Sequence, residues 1–329
     1  MTARISQRLT VSGKATLFTA LAGMSNQFKF GMSVENERYD RDLKDIFSLQ
    51  DELTIKITVS LGVEMTGEGA SPWFKKMHNL EALEKVMLAM RHFYNHEKGT
   101  SALLRKEAEE IIAMAPDVAQ AHMLLGYSHL MDLWLGTSAN PLVSIGKATE
   151  AARIAVTLDD QNDAVHSLMG QIFLVRKDLE KAIAEYKYAI HLNPNNDNAY
   201  TWLGFILAYS GDSTEAVEFC NKAIRLNPLA PSWFFSNLGI AYRENGQYRR
   251  AIEAIKKGIE IEPTNIHLYV SLALTYSIWG HEEDARKAAM QVLKINNDFS
   301  MEKFVKILPT KNEDQRKQIA EALRKAGLK

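Results

Sequence analysis

The stretch "AYTWLGFILAYSGDSTEAVEFCNKAIRLNP", Ala199–Pro228, decides the fold. Two apolar runs at helical spacing flank the turn "SGDS", and Asn-Pro closes the second run. The preceding stretch "AVHSLMGQIFLVRKDLEKAIAEYKYAIHLNP", from Ala164, has the same layout. Its Gly170, Ala182, Ala189 and Pro194 return 34 positions later as Gly204, Ala216, Ala223 and Pro228. A third unit supplies Gly239, Ala251, Gly258 and Pro263, the additional residue falling in "NPLAPS". A degenerate fourth keeps Ala273, Ala285 and Ala289.

A fixed period of this length marks a stacked repeat. Each unit predicts two antiparallel helices with small residues where their axes cross, since a larger side chain there would push the axes apart. Phe173, Tyr186, Leu203, Leu207, Leu238, Tyr242, Leu272 and Tyr276 fill the intervening core positions. The prolines stop each second helix, because a residue before proline is driven out of the α region. Glycines in "SGDS", "ENGQ" and "WGHE" suit a left-handed turn between the helices.

This pattern resembles the tetratricopeptide repeat (TPR) over residues 163–298. Upstream, "AQAHMLLGYSH" with Gly126 and "KATEAARIAVTLDDQ" with Ala148, Ala152 and Ala155 form a weaker unit. An insertion of about ten residues, "MDLWLGTSANP" and its neighbours, parts them relative to the repeat period. Before it, "NLEALEKVMLAMRHFYN" and "SALLRKEAEEIIAMAP" predict one more helix pair. The expected fold is all-α, a right-handed α-solenoid of about six helix-turn-helix repeats with a C-terminal capping helix. Repeats are assigned to 79–116, 117–161, 163–196, 197–230, 232–265 and 266–298, and capping helices to 299–329. Ile319, Leu323 and Ala326 line one side of the last helix, with Lys and Arg opposite.

Residues 45–63 predict an amphipathic helix on Ile46, Phe47, Gln50, Leu53, Ile57 and Leu61. The linker "TGEGASP" follows it, and the domain plan is a leading segment 1–36, a junction helix 37–66 and a linker 67–78. Here "ERYDRDLKDIFSLQDEL" resembles the segment before the repeats in bacterial class III adenylate/guanylate cyclases with C-terminal TPRs, and in TolB-like TPR proteins. The ending "FSMEKFVKILPTKNEDQRKQIAEALRKAGL" resembles that family too. The likeness covers residues 37–329 and implies the non-catalytic C-terminal region, because no position here matches the cyclase catalytic domain. It also implies a bacterial signalling setting and a cyclase catalytic domain as one candidate partner.

Bulk composition narrows the chemistry. A net charge of −1 excludes a global field toward nucleic acid or anionic membrane. No window has the length of apolar residues a membrane span needs. A single cysteine, Cys220, gives no disulfide framework and fits a reducing, cytoplasmic compartment, and at a core position it reads as a small hydrophobe. Residues 1–34 lack acidic residues and carry Arg4, Arg8 and Lys14 before "ATLFTALAG", so a signal or transit peptide stands beside the reading of an irregular leading segment. "SGKAT" lacks the first glycine of a phosphate loop. His92 and His96 have helical metal spacing without a third ligand nearby. The sequence therefore predicts no cofactor, no metal site and no enzyme.

What remains is a binding face. By repeat register, the first helices present Met123, Tyr127 and Leu130; Gln171; Thr201, Phe205 and Tyr209; Trp233, Ser236, Asn237, Ile240 and Arg243; and Val270 and Leu274. This aromatic, sparsely charged set suits an apolar or amphipathic segment of a protein or peptide partner. Asn237 and Arg243 lack the lysines of a carboxylate clamp, which argues against an acidic C-terminal tail as ligand. Three arrangements stay open: an open groove, a groove filled by the N-terminal segment or the 45–63 helix, and a homodimer through this face.

Overall fold

The computed structural model describes residues 80–94, 99–310 and 312–329. The leading segment, the junction helix and the linker lie outside the described residues. The chain divides into two units, Met1–Leu88 and Ala89–Lys329, and the helices from Thr100 onward belong to the second. The helix α1 (Leu80–Tyr94) spans that boundary. After it come α2 (Thr100–Met114), α3 (Ala119–Trp134), α4 (Pro141–Leu158), α5 (Asp163–Val175), α6 (Leu179–Leu192) and α7 (Asp197–Ser210). The remainder of the chain forms α8 (Ser213–Leu226), α9 (Ser232–Glu244), α10 (Tyr248–Ile261), α11 (Ile266–Trp279), α12 (Glu282–Ile295), α13 (Met301–Ile307) and α14 (Glu313–Lys325). The described residues contain helices and no strands, so the all-α expectation holds.

Five hairpins, α3/α4 to α11/α12, stack in chain order. The first helices α3, α5, α7, α9 and α11 also contact one another in succession, forming a continuous face. This is the α-solenoid that the period predicts.

The small residues do what their spacing requires. A Cβ added at Gly204 would stand 2.6 Å from Cys220 Sγ and 3.0 Å from the Ala216 carbonyl oxygen. At Gly170 it would meet the Tyr186 ring at 2.9 Å, and at Gly126 Leu168 Cδ2 at 2.6 Å. Helix ends follow the prolines: α2, α6, α8 and α10 stop at Met114, Leu192, Leu226 and Ile261. The residues directly before proline leave the α region, with Asn193 at φ −139° and Glu262 at φ −138°. The insertion is absorbed by longer helices, 16 residues in α3 and 18 in α4 against 13 in α5. Asn140 then caps α4 by accepting from the Leu142 and Val143 amides.

A polar clasp recurs in the loops. Asn193 and Asn196 both donate to Asp163 Oδ2, at 3.0 and 2.7 Å. One repeat later Asn227 donates to Asp197 Oδ2 at 2.7 Å. In the next, Asn265 donates to Ser232 Oγ and Glu262 Oε2, each at 3.0 Å. Asn196 and Asn265 at the same time cap α7 and α11. One side chain thus closes its own repeat and starts the next helix.

The turns between paired helices use the left-handed region. Gly211, Gly246 and Gly280 take φ 99°, 74° and 86°. At the equivalent register position, Lys177 takes φ 62°. A side chain there costs on the order of 1 kcal/mol that glycine would not.

Candidate functional site

Every residue assigned by register to the binding face is on a first helix and buried. Met123, Tyr127 and Leu130 are on α3, Gln171 on α5, and Thr201, Phe205 and Tyr209 on α7. Trp233, Ser236, Asn237, Ile240 and Arg243 are on α9, and Val270 and Leu274 on α11. The face is one aromatic-lined surface, and parts of the same chain cover it.

Aromatic contacts join the first helices. Trp202 lies 5.3 Å from Trp134, 5.5 Å from Trp233 and 5.6 Å from Phe205, between ring centroids. Phe205 continues to Tyr209 at 5.4 Å. Trp134 ends α3, and its carbonyl accepts from His267 Nε2 at 3.3 Å, a contact between residues 133 positions apart. Burial holds His267 below its ordinary pKa, against the pull of the Trp134 carbonyl, so it stays neutral and donates. Register reasoning missed Trp134, Trp202 and His267. The Leu-Trp pair in the insertion was the visible signal for the first.

Arg243 is not a spare cation. Its guanidinium donates to Glu244 Oε1 at 2.9–3.0 Å, to Tyr209 Oη at 3.3 Å and to Ser271 Oγ at 3.5 Å. Burial opposes its charge, while Tyr209 and Glu244 stabilise it. Asn237 differs: its Nδ2 is buried with no hydrogen-bond partner, as are Thr201 Oγ1, Asn198 Oδ1 and Trp202 Nε1. Unpaired buried polar atoms are uncommon in native folds. They give this face both donors and acceptors.

The helices α13 and α14 come back onto the same face. Along the C-terminal ends of the first helices, the Lys306 carbonyl accepts from Lys177 Nζ at 2.9 Å beside α5. Gln315 Nε2 donates to Glu244 Oε2 at 3.1 Å beside α9. Ser277 Oγ on α11 donates to the Ala322 carbonyl at 2.7 Å. The hairpin closes on itself where the Met301 amide donates to the Lys329 carbonyl at 2.9 Å. Ile319, Leu323, Leu328 and Leu308 join the core cluster that contains Phe205, Tyr209, Val270 and Leu274.

His92 and Cys220 have structural partners, while "SGKAT" and His96 lie outside the described residues. His92 Nδ1 is 2.8 Å from Glu107 Oε2, bridging α1 and α2. Cys220 is buried against Gly204, and burial pushes its thiol up to about 12. Among the described residues no group of three or more His, Cys, Asp or Glu is placed to hold a metal ion. None of the described helices is long and apolar enough to cross a membrane.

Family models agree with this geometry. Models described as "TPR repeat" and "Tetratricopeptide repeat" match residues 170–211, 197–228, 232–265 and 266–299. "Putative adenylate cyclase 3" of Rhizobium meliloti (strain 1021) is 31% identical over 120 residues, 35% of this chain and 20% of that protein. "PEX5-related protein" of Homo sapiens is 34% identical over 70 residues, 21% of this chain and 11% of that protein. The matched segments thus span a fifth or less of these relatives' lengths. Among solved structures, that of PilW, a type IV pilus biogenesis factor, is 18% identical and covers 64% of this chain and 90% of its own at a TM-score of 0.48. MamA is 25% identical and covers 50% and 95% at 0.39. Residues 170–228 and 232–299 of this chain thus match tetratricopeptide-repeat models.

Proposed function

We propose that this chain is a non-catalytic protein-interaction scaffold whose first-helix face receives an apolar or amphipathic segment of a partner protein. The observation that carries this reading is the aromatic run Trp134–Trp202–Phe205–Tyr209, shared between successive repeats and lying beside unpaired donors and acceptors. Flat aromatic side chains offer large contact area at small entropic cost, and such residues dominate binding energy where they cluster. The engagement of Arg243 by Glu244 and Tyr209 disfavours capture of an acidic tail at that position. The test is fluorescence anisotropy with synthetic amphipathic-helix peptides and acidic-tail peptides. Binding of the first class, weakened about tenfold in Phe205→Leu, is expected for the loss of one central contact. Equal binding of both classes, unchanged in the variant, overturns the reading.

A second reading is favoured by the 31% identity with the Rhizobium meliloti protein. In it, the repeats are the regulatory part of a nucleotide cyclase system in the bacterial cytoplasm, and the partner is a cyclase catalytic domain. Adding the purified chain to such a domain should change its rate of cyclic nucleotide formation. An unchanged rate together with no co-purification would remove this reading.

A further inference from the structure

The α13–α14 hairpin is in the wrong place to be only an end cover. Met290 and Leu293 on α12, the last helix of the stacked pairs, are 61% and 39% exposed. The hairpin instead packs on α11 and reaches back past α9 to the end of α5. It buries the apolar side of α14, Ile319, Leu323 and Ala326, in the same core cluster as residues of the first helices.

Its polar fastening is sparse, single hydrogen bonds at Lys177, Glu244 and Ser277, and the rest of its hold is the apolar burial of Ile319, Leu323 and Leu328. The first comes from a lysine in the left-handed region, at a register position where three other repeats have glycine. A strained backbone at one fastening point is a reason to look for function there. An open cleft of about 320 Å³ runs along the seam, lined by Glu244, Ser277, Ile278, Gln315, Gln318 and Ile319.

We propose that the α13–α14 hairpin is a displaceable resident of the first-helix face, and that the partner which takes its place is an amphipathic helix of the same apolar spacing. The inference rests on the docking reading and adds its regulation. A tethered resident acts at high effective concentration, so an outside helix competes with it at a disadvantage. Loosening the hairpin should therefore raise affinity for the partner without touching the face itself.

The probe is a fluorescein-labelled peptide of the chain's own Ser300–Lys329 sequence, added to the full chain. The wild type should bind it weakly. The double variant Ile319→Asp, Leu323→Asp should bind it at least tenfold more tightly, and unlabelled peptide should compete. Hydrogen exchange on the same samples should show α14 deprotected and α7–α12 still protected. If the variant gains no affinity while the array stays protected, the displacement proposal is overturned. Loss of protection in α7–α12 together with α14 would make the hairpin integral to the fold and overturns it equally. A wild-type dimer by sedimentation that turns monomeric in the double variant would assign the hairpin to a second copy instead. An unrelated amphipathic peptide that binds the wild type and leaves α14 protected overturns displacement but keeps the docking reading. Binding of the chain's own peptide alone, and of no other, keeps displacement and removes the broader reading.

Discussion

At the scale of single residues, what stands opposite a side chain decides its value. Gly204 and Gly146 are both helical glycines, but only the first faces a wall. Gly204→Ala would press a methyl against Cys220 Sγ and the fixed Ala216 carbonyl, and should cost about 1–3 kcal/mol in urea unfolding. Gly146→Ala meets nothing within 4 Å and should stabilise by roughly 0.5–1 kcal/mol in the same measurement. His129 predicts a pH effect. Burial, with Arg105 and Lys147 nearby, lowers its pKa from 6.5 to about 4, with Asp132 pulling the other way. The folded state thus favours the neutral ring. Its contribution is complete above pH 6.5 and is lost as pH falls from 6.5 toward 4. His129→Asn should flatten the decline in urea midpoint over that window, and an unaltered slope would place the proton uptake elsewhere. Crossing-point glycines could be read from the sequence because their period is arithmetic. The depressed histidine could not, since Arg105 and Lys147 come from other helices.

At the scale of elements, the loop asparagines join capping to closure. Asn196 accepts from the Ala199 amide at 2.8 Å and donates to Asp163 Oδ2, where burial raises the carboxyl pKa and the Asn193 and Asn196 bonds hold it down. Asn196→Ala should lose both the cap and the clasp, about 1–3 kcal/mol in all. Asn195→Ala, in the same loop but exposed, should change stability by less than about 0.5 kcal/mol. Comparing their chemical denaturation midpoints checks the contrast. Helix pairs, turns and proline stops were legible because each depends on residues close in sequence. The pattern of Ile319, Leu323 and Ala326 showed that the last helix buries one side, but not against what. That answer depends on where Lys177, Glu244 and Ser277 come together in space, which no local pattern encodes.

At the scale of the stacked unit, repeat arrays tend to behave as chains of neighbours, each repeat sensing only the next. The Trp134–His267 contact departs from that, because it joins α3 to the start of α11. Repeats between them are held at both ends and should unfold together. His267→Ala, which removes the donor to the Trp134 carbonyl, should lower the midpoint by about 1–2 kcal/mol equivalent and broaden the transition, followed by near-ultraviolet circular dichroism. A lower midpoint at unchanged breadth would mean that His267 contributes packing without coupling distant repeats. The sequence marked Trp134 only as part of an insertion. Its reach across the first-helix face comes from the stacking angle, which is set by many crossing points at once.

The thiol of Cys220 gives the molecule a built-in clock. It is buried between α7 and α8, with its proton held by burial, so a thiol reagent can modify only those molecules in which this pair has come apart. With a single cysteine in the sequence, the rate of modification reads the frequency of that one opening, with no label added to the chain.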